Sequence, residues 1–285
     1  MSIIAISCCH LFLYCNTFLQ CTRPHGYVGT GEIAKRSLFL TVARASIAGL
    51  LSLLMLLLYK EKLPTFKQWV SLTVVSLGVV VGFPLLTEIA LQEITSAHSL
   101  VFLALLPLST AIFAVIRGGE KPRPIFWLFS IIGSLLVMGY ALSQGGVSSV
   151  SADLLMIASV IVCGLGYAEG ATLTKSLGGW QVICWALIVS LPPMLILMPE
   201  ELTTINLSAW VGLGYVSLFS MLIGFIFWYK GLSQGGIAAV GQLQLLQPFF
   251  GLALAAVLLN EFVNLLMLLV TVGVIFCVAG SRKYA

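Results

Sequence analysis

A carboxylate inside an apolar run is the group in this chain best placed to do chemistry. Glu169 lies in Gly164-Leu-Gly-Tyr-Ala-Glu-Gly170, within a stretch otherwise poor in charge. An ionisable side chain at membrane depth is costly and generally faces a cavity or a partner. Its chemistry there would be proton binding, or pairing with a substrate ammonium. The alternative is that Glu169 reaches the interface near Lys175. Arg44 is the matching cation, set a turn and a half to two turns into its own apolar segment. It either grips a substrate carboxylate through its fork of donors or snorkels to the outer headgroups. The two charges differ in depth by about ten residues, or roughly 15 Å, which disfavours a direct pair between them.

Neutral polar and aromatic residues form a second group. Gln244 and Gln247 are three apart and share a helix face, while Gln242 points elsewhere. They either line a substrate site or bond between helices. Tyr167, Trp185, Tyr215 and Tyr140 are candidates for a cavity wall, against the plainer role of packing. His98 and Ser99 are read as structural, and Trp69 and Trp210 as interface anchors. Pro107 and Pro248 each remove a backbone donor, so they read as paired kinks that let two halves rock. Glu120 and Glu261 lie at loop ends and read as structural.

The elements that position these groups are written twice. Trp69-Val70-x-Leu72-x-x-Val75-Ser76-Leu77 returns 141 residues later as Trp210-Val211-x-Leu213-x-x-Val216-Ser217-Leu218. The same offset carries Ala97 onto Ala238, Pro107 onto Pro248 and Glu120 onto Glu261. Under it, Gln242, Gln244 and Gln247 fall on Val101, Leu103 and Leu106, so the glutamine face is polar in one copy only.

Composition places the copies in lipid. The chain is 60% hydrophobic and 8% charged, with a mean hydropathy of +1.09. Ten apolar spans are expected, at about 2–21, 37–59, 67–90, 96–117, 124–143, 152–174, 179–198, 208–230, 236–259 and 262–280. The expected fold is all-α integral membrane: ten transmembrane helices as two five-helix inverted-topology repeats, 1–145 and 146–285. An odd number of helices per unit inverts the second copy. The first span is the divergent one, because the repeat register calls for about 11–33, where Arg23, Pro24, His25 and Glu32 stand. A signal peptide there lacks a basic start and an Ala-x-Ala cleavage site. Lys60, Lys62, Lys67, Arg117, Lys121, Arg123, Lys175, Lys230, Arg282 and Lys283 collect on one side, which puts both termini in the cytoplasm.

The duplicated five-helix unit, the Pro-to-Glu spacing of thirteen residues in each half, Ala90-Leu91 and the run Arg44 to Gly49 resemble the drug/metabolite transporter superfamily, EamA type. The resemblance covers about 37–280 and implies alternating access and, usually, export of small metabolites such as amino acids. The Trp-Gly element and following Lys often found in the first helix of that family are absent here.

The expected function is a secondary active transporter, proton-coupled, exporting small polar or zwitterionic, amino-acid-like metabolites. A facilitative metabolite or drug permease without ion coupling is the alternative. A membrane enzyme is remote, since no Gly-x-Ser-x-Gly, His-Glu-x-x-His or paired intramembrane aspartates occur, and Asp153 is the sole aspartate. No ion-selectivity filter or nucleotide-binding loop is present either. The seven cysteines include no Cys-x-x-Cys pair, so neither metal nor cofactor is expected. The net charge of +4 lies at segment ends and forms no nucleic-acid stripe. Expected partners are a small-molecule substrate, membrane lipid and protons, with a homodimer left open. The expected location is a bacterial inner membrane.

Overall fold

The computed structural model describes residues 30–143, 145, 149–198, 207–247, 249 and 265–285. The expected span 2–21, Pro248 and Glu261 lie outside the described residues. Twelve α-helices are described: α1 Thr30–Leu58, α2 Phe66–Val75, α3 Phe83–Ala90, α4 Ser96–Leu103, α5 Leu106–Ile116, α6 Pro124–Ser143, α7 Val150–Leu177, α8 Gly179–Ile196, α9 Leu207–Val216, α10 Gly224–Gly235, α11 Ile237–Gly241 and α12 Leu265–Tyr284. Seven spans among the described residues are long and apolar enough to cross a membrane, with a shorter apolar helical stretch over Ile237–Leu246.

The duplication written in the sequence recurs in the helix boundaries. The helix α2 runs into a π-helix at Ser76–Gly82, and α9 runs into one at Ser217–Ile223. Both pairs of bounds are 141 residues apart, as are the bounds of α6 and α12. The shared Val-Ser-Leu opens each wide turn. In the second copy the Ser217 hydroxyl donates to the Leu213 carbonyl at 2.6 Å, competing for the acceptor that a regular ladder would use.

A helix is also interrupted just ahead of Pro107, and the matching stretch of the second copy departs from α-helical pitch. Between α4 and α5 the chain turns at Ala104 and Leu105, and Pro107 follows in the first turn of α5, where its missing N–H costs little. The corresponding stretch Gln242–Leu246 after α11 is a 3-10 helix.

Long α7 runs through the centre and packs against α2, α3, α5, α8 and α10. Its glycines permit the approach. A Cβ built on Gly78, in the first π-helix, would stand 2.5 Å from the Val162 carbonyl of α7, and one on Gly170 would enter the Tyr229 ring. Outward positions carry exposed leucine, including Leu50, Leu54, Leu57, Leu128 and Leu135, as lipid requires. Inward positions bury Ser52, Ser130, Ser134, Ser159 and Gln242.

One end of the bundle gathers Tyr59 against Trp180, Gln181 donating to Glu61, and the Arg123 amide donating to the Tyr284 carbonyl. At the other end the hydroxyls of Ser149 and Ser151 donate to Glu93, and His98 Nε2 meets the Asp153 carboxylate at 3.0 Å.

Candidate functional site: an aromatic and amide-lined cavity

Two irregular helical segments meet α7 around a small, partly open cavity, with about 250 Å³ of empty space when the solvent it opens to is counted in. Its described lining is Tyr167 of α7, Ser220 of the second π-helix, Gly224, Phe225 and Trp228 of α10, and Gln244 and Gln247 of the 3-10 stretch and its continuation. The π-helix matters because its extra residue per turn turns side chains off the regular face and leaves room beside them. Ser220, Gly224 and Trp228 follow at four-residue spacing, so they form one face of that helix. Tyr167 meets the Trp228 ring edge-on at 5.5 Å and the Phe225 ring at 6.2 Å. Gln244 and Trp228 are buried, at 4% and 6% exposure, and neither Gln244 Oε1 nor Trp228 Nε1 has a hydrogen-bond partner among the described residues. Buried polar atoms are paired in nearly all native sites, so atoms left open beside a cavity suit an incoming solute or water.

The first copy cannot make this cavity. The 141-residue offset places Gly224 on Phe83, Ser220 on Val79, Trp228 on Thr87, and the two glutamines on Leu103 and Leu106. Phe83, Val79 and Leu106 are buried in the core instead. The residue types that line this cavity are thus found in one half only.

Of the sequence-predicted residues, the fold brings Tyr167, Gln244 and Gln247 together. Glu169, two residues beyond Tyr167, turns away from the cavity. Its carboxylate accepts from the Ser71 hydroxyl of α2 at 2.6 Å and from Arg117 Nε, just past α5, at 2.7 Å. Its partner is therefore Arg117, and not the interface near Lys175. The Arg117 guanidinium is raised above its ordinary value by that hydrogen bond and by the adjacent charge.

Arg44 is buried in α1, which packs against α8, α3 and the second π-helix. Trp185 lies against Trp69 at 5.5 Å, and Trp69, near the start of its span, is partly buried against the core. Tyr215 is 45% exposed beside Phe219 and faces away from the cavity. Pro107 is buried in the first turn of α5. The Glu120 carboxylate accepts the backbone N–H of Ile237 at 2.6 Å and of Ala238 at 2.9 Å, at the start of α11. His98 pairs with Asp153.

Sequence reasoning missed Ser220, Gly224, Phe225 and Trp228. The signal was available: a glycine facing a phenylalanine across the repeat, on a face with serine and tryptophan at four-residue spacing. It also passed over Glu88, a second carboxylate buried in a span, at 4% exposure.

Comparison with known proteins places these features. The model of the EamA-like transporter family matches residues 33–142 and again 150–282. The uncharacterized transporter YdeK of Bacillus subtilis (strain 168) is 60% identical over 252 residues, covering 87% of this chain and 88% of that protein. The uncharacterized transporter YyaM of the same organism is 20% identical over 184 residues, covering 60% and 59%. A crystal structure at 17% identity superposes with a TM-score of 0.77 over 100% of this chain and 98% of the other, a likeness of fold.

Proposed function

The chain belongs to the EamA-like transporter family, and from that premise we propose that it is a secondary active transporter working by alternating access. The proposed cargo is a small polar metabolite, exported from a bacterial cytoplasm at the expense of a proton gradient. The carrying observation is the cavity at Tyr167, Trp228, Gln244 and Gln247, whose glutamines, serine and tryptophan the other copy of the repeat does not carry at the matching positions. A substrate needs one such place, whereas the frame that moves around it can stay matched. The proposed frame is ten helices in two five-helix inverted repeats. Recurrence of helix bounds at one offset supports it, and so do the break ahead of Pro107 and the 3-10 stretch that matches it, since discontinuous helices at mid-membrane mark substrate sites in many transporters. Pro107 and Pro248 serve as hinges in this reading.

Glu169 is the proposed coupling group. Bound to Arg117 and Ser71, it ties α7 to the ends of α5 and α2. A proton on the carboxylate removes the charge that holds Arg117 and frees those helices to part. The described Lys and Arg side chains other than Arg44 lie near one end of the bundle, which supports a cytoplasmic placement of that end. A zwitterionic, amino-acid-like cargo is the second reading. The observation that favours it is Arg44, a buried cation whose helix packs against the π-helix that supplies Ser220.

The test is uptake of a labelled metabolite panel into sealed inside-out vesicles, with and without an imposed proton gradient. Gradient-driven accumulation that Gly224→Phe abolishes at equal expression is the expected result. Uptake that only equilibrates would favour the facilitative alternative. Accumulation untouched by Gly224→Phe would remove the cavity from the transport path.

A further inference from the structure

The chemistry of the cavity wall narrows the cargo. This step rests on the transport reading above and concerns the same site. Three aromatic rings, one serine, one glycine and two primary amides make up the described lining, with no formal charge among them. The described charges nearest in sequence are engaged elsewhere or point away: Glu169 is held by Arg117 and Ser71, and Lys230 is exposed. A free carboxylate or ammonium entering this wall would surrender its hydration and find no counter-charge there, a heavy cost in a low-dielectric site.

What the residues of the wall do offer is one buried donor and one buried acceptor that have no partner among the described residues. Trp228 Nε1 can only donate, and Gln244 Oε1 can only accept. Both belong to buried residues that line the cavity. A solute that satisfies them carries an acceptor and an N–H donor within one small group. The rings of Tyr167, Phe225 and Trp228 supply flat apolar surface beside that pair, which suits a planar body. An amide meets all three demands at once: its carbonyl accepts, its N–H donates, and its plane stacks.

We infer that the cavity selects uncharged, planar solutes bearing an amide or lactam group, in preference to carboxylates and zwitterions. Gln244 and Trp228 are the specificity-determining residues, and Tyr167 and Phe225 form the stacking wall. In the first copy, leucine and threonine at the positions of Gln244 and Trp228 remove this hydrogen-bonding pair, so that half carries no second site of the same kind.

The experiment uses the full-length protein in proteoliposomes, with matched probes that differ in one group. Nicotinamide and benzamide are compared with nicotinate and benzoate, uracil is added as a lactam, and phenylalanine and glutamine stand for zwitterions. Binding is read by scintillation proximity and transport by counterflow. The expected result is that at least one neutral amide binds more than tenfold tighter than its carboxylate twin. Gln244→Leu and Trp228→Phe should then each weaken that amide by about fivefold to tenfold, the worth of one neutral hydrogen bond. Leucine approximates the volume of glutamine and phenylalanine keeps an aromatic ring at 228, and unchanged gel-filtration profiles establish that the variants fold.

Binding of no neutral amide overturns the inference. So does a carboxylate or zwitterion bound as tightly as its neutral counterpart, or an amide whose affinity ignores both variants. The broader reading fails separately. If a zwitterion is carried and Gly224→Phe stops it, the transport reading stands and this selectivity falls. If Gly224→Phe leaves the carriage of every solute intact, the cavity itself is not the path.

Discussion

Glu169 illustrates how one buried charge is made tolerable. Its oxygens take one neutral and one charged hydrogen bond, from Ser71 and Arg117. Arg117 is half-exposed and Glu169 is not, at 49% and 7% side-chain exposure. Removing the cation therefore does more harm than removing the anion, because it strands the buried partner. Arg117→Gln should lower stability by about 1–2 kcal/mol, discounted from the value for a fully buried pair because the arginine meets solvent. Glu169→Gln should cost less, and the double variant should recover part of the Arg117→Gln loss. Thermal unfolding in detergent orders the three, and a double variant weaker than Arg117→Gln would refute the pairing account. In transport, Glu169→Gln should abolish gradient-driven accumulation while counterflow persists. Retained accumulation would remove Glu169 from coupling.

Helix ends and helix crossings carry the next layer. Glu120 caps α11, which leads into the 3-10 stretch, from a loop more than a hundred residues away in sequence. Two N–H groups that would otherwise be open receive a carboxylate, and the helix dipole favours its charge. Glu120→Ala should cost about 1–2 kcal/mol, and Glu120→Gln less, measured as a shift in unfolding midpoint. In the first copy the helix start is served locally, since the Thr95 hydroxyl accepts the His98 N–H, whereas its counterpart in the second copy is Gly236 with φ +84°. At the opposite end, the hydroxyls of Ser149 and Ser151 hold the Glu93 carboxyl below its ordinary value. A depressed value in the fold gives stability above the unfolded value and loses it as pH falls through the folded one. The midpoint difference between wild type and Glu93→Gln should thus be constant near neutral pH and close below about pH 4. A difference that grows on acidification would contradict it. Crossings are as strict as caps: Gly78→Val has the Val162 carbonyl in its way and should destabilise by about 1–3 kcal/mol, as overpacking does.

At the scale of the whole molecule, charge distribution makes a claim about sidedness. Lys62 and Ser149 lie at opposite ends of the bundle, beside the Glu61–Gln181 and Glu93–Ser151 contacts respectively. A membrane-impermeant maleimide should label Lys62→Cys only in inside-out vesicles and Ser149→Cys only in right-side-out ones, over the wild-type background. Labelling from one side for both would overturn the orientation.

Membrane class, the seven spans found among the described residues and the duplication were legible in the sequence, because hydropathy and a fixed offset are properties of the chain itself. The offset also shows that the glutamine face is polar in one copy only. Which buried groups meet was not legible. Tyr167 and Glu169 are two residues apart, yet one enters the cavity and the other finds Arg117, because residues two apart on a helix point in different directions. Trp185 and Tyr215 were equal candidates by type, yet one is buried against Trp69 and the other faces outward. The difference lies in helix rotation and in the π and 3-10 departures from regular pitch. Those are set by packing between segments distant in sequence, so only the tertiary structure decided them.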